Sequence, residues 1–455
     1  MVNMNVTDSY RNSYEILSEI GKGAQGATYL LKGGKYIAKL FANVKNPTEL
    51  RAKINFLKQL DLDKDGFAIP LEEITQPKIG YISEFASGME PLSMLKWSNQ
   101  SEDLQKWFIE TGGLLKRLQV LTKLAERLRT LHSKGLIYCD LSPSNVFVSS
   151  DAKNSHVFLI DLDNLRYRTS ILYNIYTPFY AAPELVNSAS PNSMESDCFS
   201  FAIIAYEILT LNHPLIGDYV TEGEPELEEQ ALSGKLPWVE HSSDRLNARS
   251  SGIPSSFFIT ESLQTLFKRT FEDGLNDTLK RPTISEWCNG LYKALNEIIK
   301  CPNCNIHYPL SINGECPFCG GISNSVVKIQ MKRWERLPRY NRTSNTMEEP
   351  FGLAPMVFEE ITIDKSTTKY IKKSHFLLPG NPNDPVMQIK VIESDGEEKL
   401  VELIPKEITY YVALDGQEVF FTDKPKKIRI TGKRHRELVI GITKLDTPQR
   451  VLTIE

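Results

Sequence analysis

The sequence predicts an α+β chain in three parts. A region of mixed strands and helices covers residues 1–300, a cysteine-paired segment covers 301–320, and an all-β, sandwich-like region covers 351–455, with 321–350 as a polar, Arg-containing linker. Three observations predict this. Strand-like and helical patterns alternate up to about residue 300. Four of the seven cysteines fall at Cys301, Cys304, Cys316 and Cys319. Beyond 351, short β-branched or alternating runs recur at Val386–Ile392, Ile408–Val412, Lys427–Thr431 and Arg450–Glu455, with turn signals at Pro379-Gly380, Asp395-Gly396 and Asp415-Gly416.

Composition bounds the classes. A chain of 455 residues exceeds one ordinary core. At 41% hydrophobic and 24% charged it is neither disordered, collagen-like nor a disulfide scaffold. The net charge of −4 argues against a whole-chain nucleic-acid binder. The longest apolar stretch, near Phe199–Leu209, reads as a buried helix and falls far short of the ~20 residues that cross a bilayer, so no membrane insertion is expected. The first residues, MVNMNVTDSYRNSY, have no apolar core, so a cytoplasmic location is expected, with cysteines as thiols or metal ligands.

The first region opens with Gly21, Gly23 and Gly26 in a G-x-G-x-x-G pattern. Glycines let backbone amides approach phosphate oxygens without a Cβ clash. Ligand-free hairpins and dinucleotide sites share this pattern, but a dinucleotide site wants a helix next. Here TYLLKGGKYIAKLF reads as a hairpin turning at Gly33-Gly34. It delivers Lys39 one strand after the glycine loop, where it could reach nucleotide phosphates. Glu49, in the helical stretch TELRAKINFLKQL, could hold that lysine by an ion pair. Further on, Leu114–Leu131 has apolar residues at helical spacing and reads as an amphipathic core helix ending at Gly135. The acidic run Glu222–Glu229 reads as a solvated face.

Downstream, Tyr138-Cys139-Asp140-Leu141-Ser142-Pro143-Ser144-Asn145 is followed by Asp161-Leu162-Asp163, by Thr177-Pro178-Phe179-Tyr180-Ala181-Ala182-Pro183-Glu184, by Asp197 and by Arg281-Pro282. In this order and spacing, residues ~14–295 resemble a eukaryotic-type Ser/Thr protein kinase. The resemblance implies a bilobal fold, with an N-lobe over about 14–85 and a C-lobe over about 86–297. It implies ATP as phosphoryl donor and Mg²⁺ (or Mn²⁺) held by Asn145 and Asp161. Asp140 becomes the base for a substrate hydroxyl, and Gly21, Gly23, Gly26, Lys39 and Glu49 become the nucleotide's cradle. Ser83-Glu84-Phe85-Ala86 resembles the hinge between lobes. There Ala86 would offer backbone groups to adenine, and Glu90 would face the ribose. Thr177 would hydrogen-bond Asp140, and Arg281 would pair structurally with Glu184.

Four departures bear on activity. Tyr138 and Cys139 replace the family's His and Arg before the catalytic Asp. Ser142 replaces a Lys that neutralises the transferring group, a loss comparable to the ~2.7–4 kcal/mol of one electrostatic donor. Asp163 replaces the Gly of D-F-G, leaving the backbone less free for positive φ. Thr28 replaces a Val that packs on adenine. Thr169 and Tyr173 remain as phosphorylation candidates. Because Lys39, Asp140, Asn145 and Asp161 are all present, an active kinase is expected; the alternatives are a nucleotide-binding pseudokinase scaffold and an interaction module acting through its C-terminal region.

Cys301-Pro-Asn-Cys304 and Cys316-Pro-Phe-Cys319-Gly320 have the spacing of a four-thiolate zinc ribbon, a structural site with no open position. Asn305 and Gly320 follow each pair and tolerate the positive φ that turns amides toward sulfur. Near the C-terminus, Lys424, Lys426, Lys427, Arg429, Lys433, Arg434 and Arg436 form a basic cluster, read chiefly as a charged face. Residues 351–455 are expected to recruit a protein substrate or regulator, and no RNA-binding motif accompanies them.

Overall fold

The computed structural model describes residues 4–454 apart from 24–25, 97–102, 168–173, 251, 311–314, 324–325, 342, 365–367, 396–397, 415–416 and 432–437. Thr169, Tyr173, Lys433, Arg434 and Arg436 therefore lie outside the described residues, as do Gly396 and the Asp415-Gly416 turn signal. The chain forms two compact units. The first comprises Met1–Ser255 and Leu263–Leu291, the second Ser256–Ser262 and Tyr292–Glu455.

The first unit begins with a closed barrel of six strands: β1 (Asn5–Asp8), β2 (Ser13–Lys22), β3 (Gly26–Leu31), β4 (Tyr36–Phe41), β5 (Glu72–Gln76) and β6 (Gly80–Glu84), in the order β1-β2-β3-β4-β6-β5. Alternating residues fill it: Val6, Leu31, Ala38, Leu40, Ile74 and Ile82 are buried together. The barrel starts ahead of residue 14. Four residues carry no periodicity to read, but β1 closes the sheet between β2 and β5, and Asp8 holds the turn by accepting from the amides of Tyr10 and Asn12 and the hydroxyl of Tyr14. Helix α1 (Pro47–Gln59) starts where Asn46 caps it and Pro47 occupies the first turn; it buries Ile54 and Leu57.

The helical part of the first unit is built on two long helices. Helix α2 (Gly113–Ser133) buries Leu114, Leu118, Leu121, Leu124, Leu128 and Leu131, the 3–4 spacing read in the sequence, and stops before Gly135 at φ 76°. Helix α3 (Met194–Thr210) opens with a Ser193–Ser196 capping box and is buried along nearly its whole length, which is why it reads as continuously apolar. Among the described residues no helix is long and apolar enough to cross a membrane.

The second unit contains the cysteine segment and an all-β sandwich. Its six-stranded sheet runs in the order Phe351–Ile363, Val327–Arg336, Gln449–Ile454, Leu438–Gly441, Tyr410–Leu414, Gln417–Thr422. Its four-stranded sheet runs Thr368–Lys372, Pro385–Asp395, Glu398–Pro405, Lys426–Thr431. Residues of both sheets share one core, including Ile329, Met331, Ile361, Met387, Val401, Leu403, Val412 and Leu452. The linker expectation for 321–350 needs correcting. Val327–Arg336 is an interior strand, paired with Phe351–Ile363 on one side and Gln449–Ile454 on the other. Val327, Ile329 and Met331 are buried and Lys328 is exposed, a period-2 pattern that slips by one residue at the register shifts around Lys332, so that Trp334 is buried and Arg333 exposed.

Candidate functional site

The glycine loop joins β2 to β3. The amide of Gly23 donates to the carbonyl of Gly26 at 2.8 Å, closing the hairpin. A Cβ on Gly26 would lie 2.1 Å from the Leu40 carbonyl oxygen, so close strand approach demands glycine there, whereas Gly21 and Gly23 face open space. Gly33 and Gly34, at φ 95° and 67°, turn the chain into β4. That strand carries Lys39 between Thr28 of β3 and Tyr81 of β6. At the end of β6, Glu84 is half-buried; Phe85 donates its amide to the Lys35 carbonyl, and the Ala86 carbonyl accepts from the Met89 amide. Glu90 lies exposed on the strand that pairs with Val146–Ser149.

Two strands bring the acidic residues together. Val146–Ser149 pairs antiparallel with Val157–Leu159, so the loop before one and the turn after the other emerge side by side. The Ile160 amide donates to the Asn145 carbonyl at 3.1 Å. Tyr138, fully buried, spans the same gap: its hydroxyl donates to the Ile160 carbonyl at 2.5 Å and lies 3.3 Å from the Asn145 carbonyl. Asp197, in the first turn of α3, accepts the amides of Tyr138 and Cys139 at 2.7 and 3.0 Å and meets His132 Nε2 at 3.0 Å. It thereby holds Cys139 at φ 73° and fixes the backbone just before Asp140. Cys139 is buried, and burial raises its thiol well above the ordinary value.

Asp140 accepts from the Thr177 hydroxyl at 2.7 Å and from the Asn145 side-chain amide at 3.3 Å; Asn164 Nδ2 stands 3.5 Å away. Asn145 spends its NH₂ on Asp140, through the carboxylate and the carbonyl (2.9 Å), which turns its amide oxygen to other use. Asp161 sits in the left-handed region, φ 54° and ψ 43°. The positive φ expected of the third D-F-G position thus falls at the first, and Asp163 enters a 3₁₀ turn, Leu162–Asn164. A hard divalent cation takes such oxygen donors, and the Asn145 amide oxygen with the Asp161 carboxylate fits that donor set. Ser142 Oγ pairs with Ser144 Oγ at 2.8 Å, so no cation enters the loop at that position.

The pairing of Lys39 departs from expectation. Its Nζ meets Asp161 Oδ1 at 2.7 Å and Asp163 Oδ1 at 3.0 Å. Glu49 does not take part. It is exposed in the first turn of α1, where its amide is capped by Asn46 and its carboxylate accepts from Asn46 Nδ2 at 3.2 Å. One turn later, on the same side of α1, stands Lys53. Burial and the neighbouring Arg166 hold its ammonium down to about 8, while Asp163 acts in the opposite sense. Sequence reasoning missed Lys53 and Tyr81, and it noted Tyr138 only as a departure from the family pattern; the signal for Asp163 was the D-x-D spacing itself. Away from this site, Arg281 grips Glu184 with both terminal nitrogens at 2.8 Å.

In the second unit, Cys301, Cys304, Cys316 and Cys319 bring their four sulfurs within 4.8 Å of one another. Two of the separations are 3.5 and 3.7 Å. Tetrahedral Zn–S bonds of ~2.3 Å require sulfurs about 3.8 Å apart, so the donor set fits zinc. Asn305 and Gly320, at φ 62° and 68°, turn each knuckle and donate their amides to the carbonyls of Cys301 and Cys316. Burial raises the Cys301 thiol, but the amides of Cys304 and Asn303 outweigh it and bring that thiol down to about 7, whereas burial pushes Cys304 up to about 12 and raises Cys316 as well. Ile299 and Tyr308 supply the small core beneath.

The family of protein kinase domains matches residues 14–292. Similar curated proteins include the serine/threonine-protein kinase pkn2 of Myxococcus xanthus, 26% identical over 45% of this chain and 25% of its own length. The serine/threonine-protein kinase PknD of Chlamydia caviae is 26% identical over 44% of this chain and 24% of its own. The cAMP-dependent protein kinase catalytic subunit 3 of Drosophila melanogaster is 26% identical over 50% of this chain and 38% of its own. The chain thus spans about a quarter of the length of the first two relatives and under two fifths of the third.

Proposed function

The chain belongs to the protein kinase family, and from that premise we propose that it transfers the γ-phosphoryl group of ATP to Ser/Thr hydroxyls of a protein substrate. The observation that carries this reading is the convergence of Asp140, Asn145, Asp161 and Lys39 at the ends of two paired strands. Asp140, held by Thr177 and Asn145, accepts the proton of the incoming hydroxyl as its oxygen bonds to phosphorus and the bond to the departing ADP oxygen breaks. Lys39 steadies the nucleotide phosphates. Gly21, Gly23 and Gly26 leave the backbone bare beside them, and Glu84, Ala86 and Glu90 border the nucleoside end. Asn145 and Asp161 hold Mg²⁺ or Mn²⁺, which neutralises phosphate charge when bound. A structural zinc in the four-cysteine site, and recruitment of a protein substrate or regulator by the β-sandwich, complete the proposal. A reducing, cytoplasmic setting accords with seven cysteines free of disulfides.

A second reading, a pseudokinase scaffold, draws on Ser142, which leaves the transferring group without the usual loop cation. Phosphate transfer from labelled ATP, wild type beside Asp140→Asn, separates the two. The kinase reading expects transfer that the variant loses by at least ~100-fold, the scale of a general base. Nucleotide binding without transfer by the wild type would support the scaffold.

A further inference from the structure

Lys39 has two carboxylate partners, and they are not equivalent. The Asp161 side chain is 37% exposed, while that of Asp163 is 5% exposed. Asp161 therefore fronts solvent, where a cation or phosphate can reach it. Asp163 lies behind, sealed against the barrel wall. Tyr81 stands directly across the β4–β6 ladder from Lys39 and is buried, and that burial, with the nearby Asp163 and Asp161 carboxylates, raises its hydroxyl well above the ordinary value. Helix α1 offers no competing carboxylate: Glu49 is exposed, and its carboxylate accepts from Asn46 Nδ2.

We propose that Asp163, not a carboxylate of helix α1, is the positioning residue that holds Lys39 for the nucleotide phosphates. A buried ion pair is tolerated only where its partners are hydrogen-bonded to each other, as Lys39 Nζ and Asp163 Oδ1 are at 3.0 Å. Because Asp161 and Asp163 share one 3₁₀ turn, the carboxylate that faces the metal and the one that holds the lysine are set by a single local backbone conformation. When Asp161 turns toward a cation, Lys39 keeps a partner.

This inference rests on the ATP-dependent reading above, and two readouts on the full-length protein keep their failures apart. The first is nucleotide-free: the rate at which Lys39 is modified by an amine-reactive reagent at one pH, read by peptide mass spectrometry. Asp163→Asn is expected to raise that rate several-fold, and Glu49→Gln to leave it unchanged. The second is ATP binding by calorimetry together with the kcat and KM of transfer. Asp163→Asn is expected to weaken ATP binding and raise KM by about tenfold or more, the weight of one hydrogen bond to a charged group, with a smaller change in kcat. Glu49→Gln is expected to stay within about twofold. Moving the carboxylate back to the helix, Asp163→Gly with Lys53→Glu, is expected to recover ATP affinity over Asp163→Gly alone, which a merely structural role for Asp163 would not produce. Circular dichroism verifies that each variant is folded. Asp163→Asn with wild-type Lys39 reactivity and ATP affinity, or an equal effect from Glu49→Gln, overturns the assignment while the kinase reading stands. A wild type that binds no ATP, yet whose Lys39 is unmasked by Asp163→Asn, overturns the kinase reading and upholds the pairing.

Discussion

Arg281 is 4% exposed, with both ends of its guanidinium on Glu184, its Nε on the Gly274 carbonyl at 2.7 Å, and its Cζ 4.6 Å from the centre of the Phe199 ring. Such a fork is specific to arginine: a lysine would reach one oxygen and leave the other dry. Arg281→Ala strands a largely buried carboxylate, so it should cost about 3–5 kcal/mol of stability, read as a lowered urea midpoint of the first unit. Arg281→Lys should lose less than Arg281→Ala, yet more than a conservative surface exchange. Asp197 belongs to the same scale. It accepts two backbone amides ahead of Asp140, so Asp197→Ala should reduce phosphate transfer strongly even though Asp197 makes no contact with Asp140 among its hydrogen bonds. Far-UV circular dichroism and ATP affinity close to wild type would mark that loss as one of loop position. These residues were legible because their chemistry is local to short motifs. Glu49 was misread because a helix face cannot be assigned until the helix start is known: capping at Asn46 puts Glu49 in the exposed first turn, while the helix buries Ile54 and Leu57.

Elements carry the next layer. The paired knuckles rest on little else, since Ile299 and Tyr308, with Leu310 and Phe318 half-buried, make a core too small to stand alone. The ring of Phe318 also meets Phe257 and Phe258. About one zinc per chain is expected by metal analysis. Its removal with a chelator, or Cys304→Ser, should lower the melting temperature of the second unit by roughly 6–12 °C if it withdraws even ~3 kcal/mol. An unchanged melting curve on chelation, with no zinc detected, would contradict a metal-supported ribbon. The cysteine pairs announced themselves by spacing. The strand Val327–Arg336 did not, because Lys328, Lys332, Arg333 and Arg336 make it look like a solvated linker and the alternation slips at Lys332; only its neighbours reveal that Val327, Ile329 and Met331 face a core.

At the scale of the molecule, separate hydrophobic cores fold the two units: among them one fills the barrel of the first unit and one lies between the two sheets of the second. Leu403 is fully buried in the second. Leu403→Ala should cost about 2–5 kcal/mol there through lost burial and a cavity. Calorimetry should show the transition of that unit moving down while the transition of the first unit stays put, because separate cores respond separately. Both transitions moving together would mean the units unfold as one.

The amino-acid order alone determined which chemical groups the molecule owns and how they are spaced: a glycine loop and lysine, a catalytic loop, an acidic turn, two cysteine pairs, and a β-rich tail. Those features are short-range, since each depends on a few consecutive residues with a fixed backbone demand. Tertiary structure alone decided that Asp163 rather than Glu49 meets Lys39, that Asp197 braces the catalytic loop through its amides, and that Val327–Arg336 runs inside a sheet. These are matters of which faces meet across long stretches of chain, 58 residues for Asp197 and Cys139 and 124 for Lys39 and Asp163, and they follow from register and burial that no local pattern encodes.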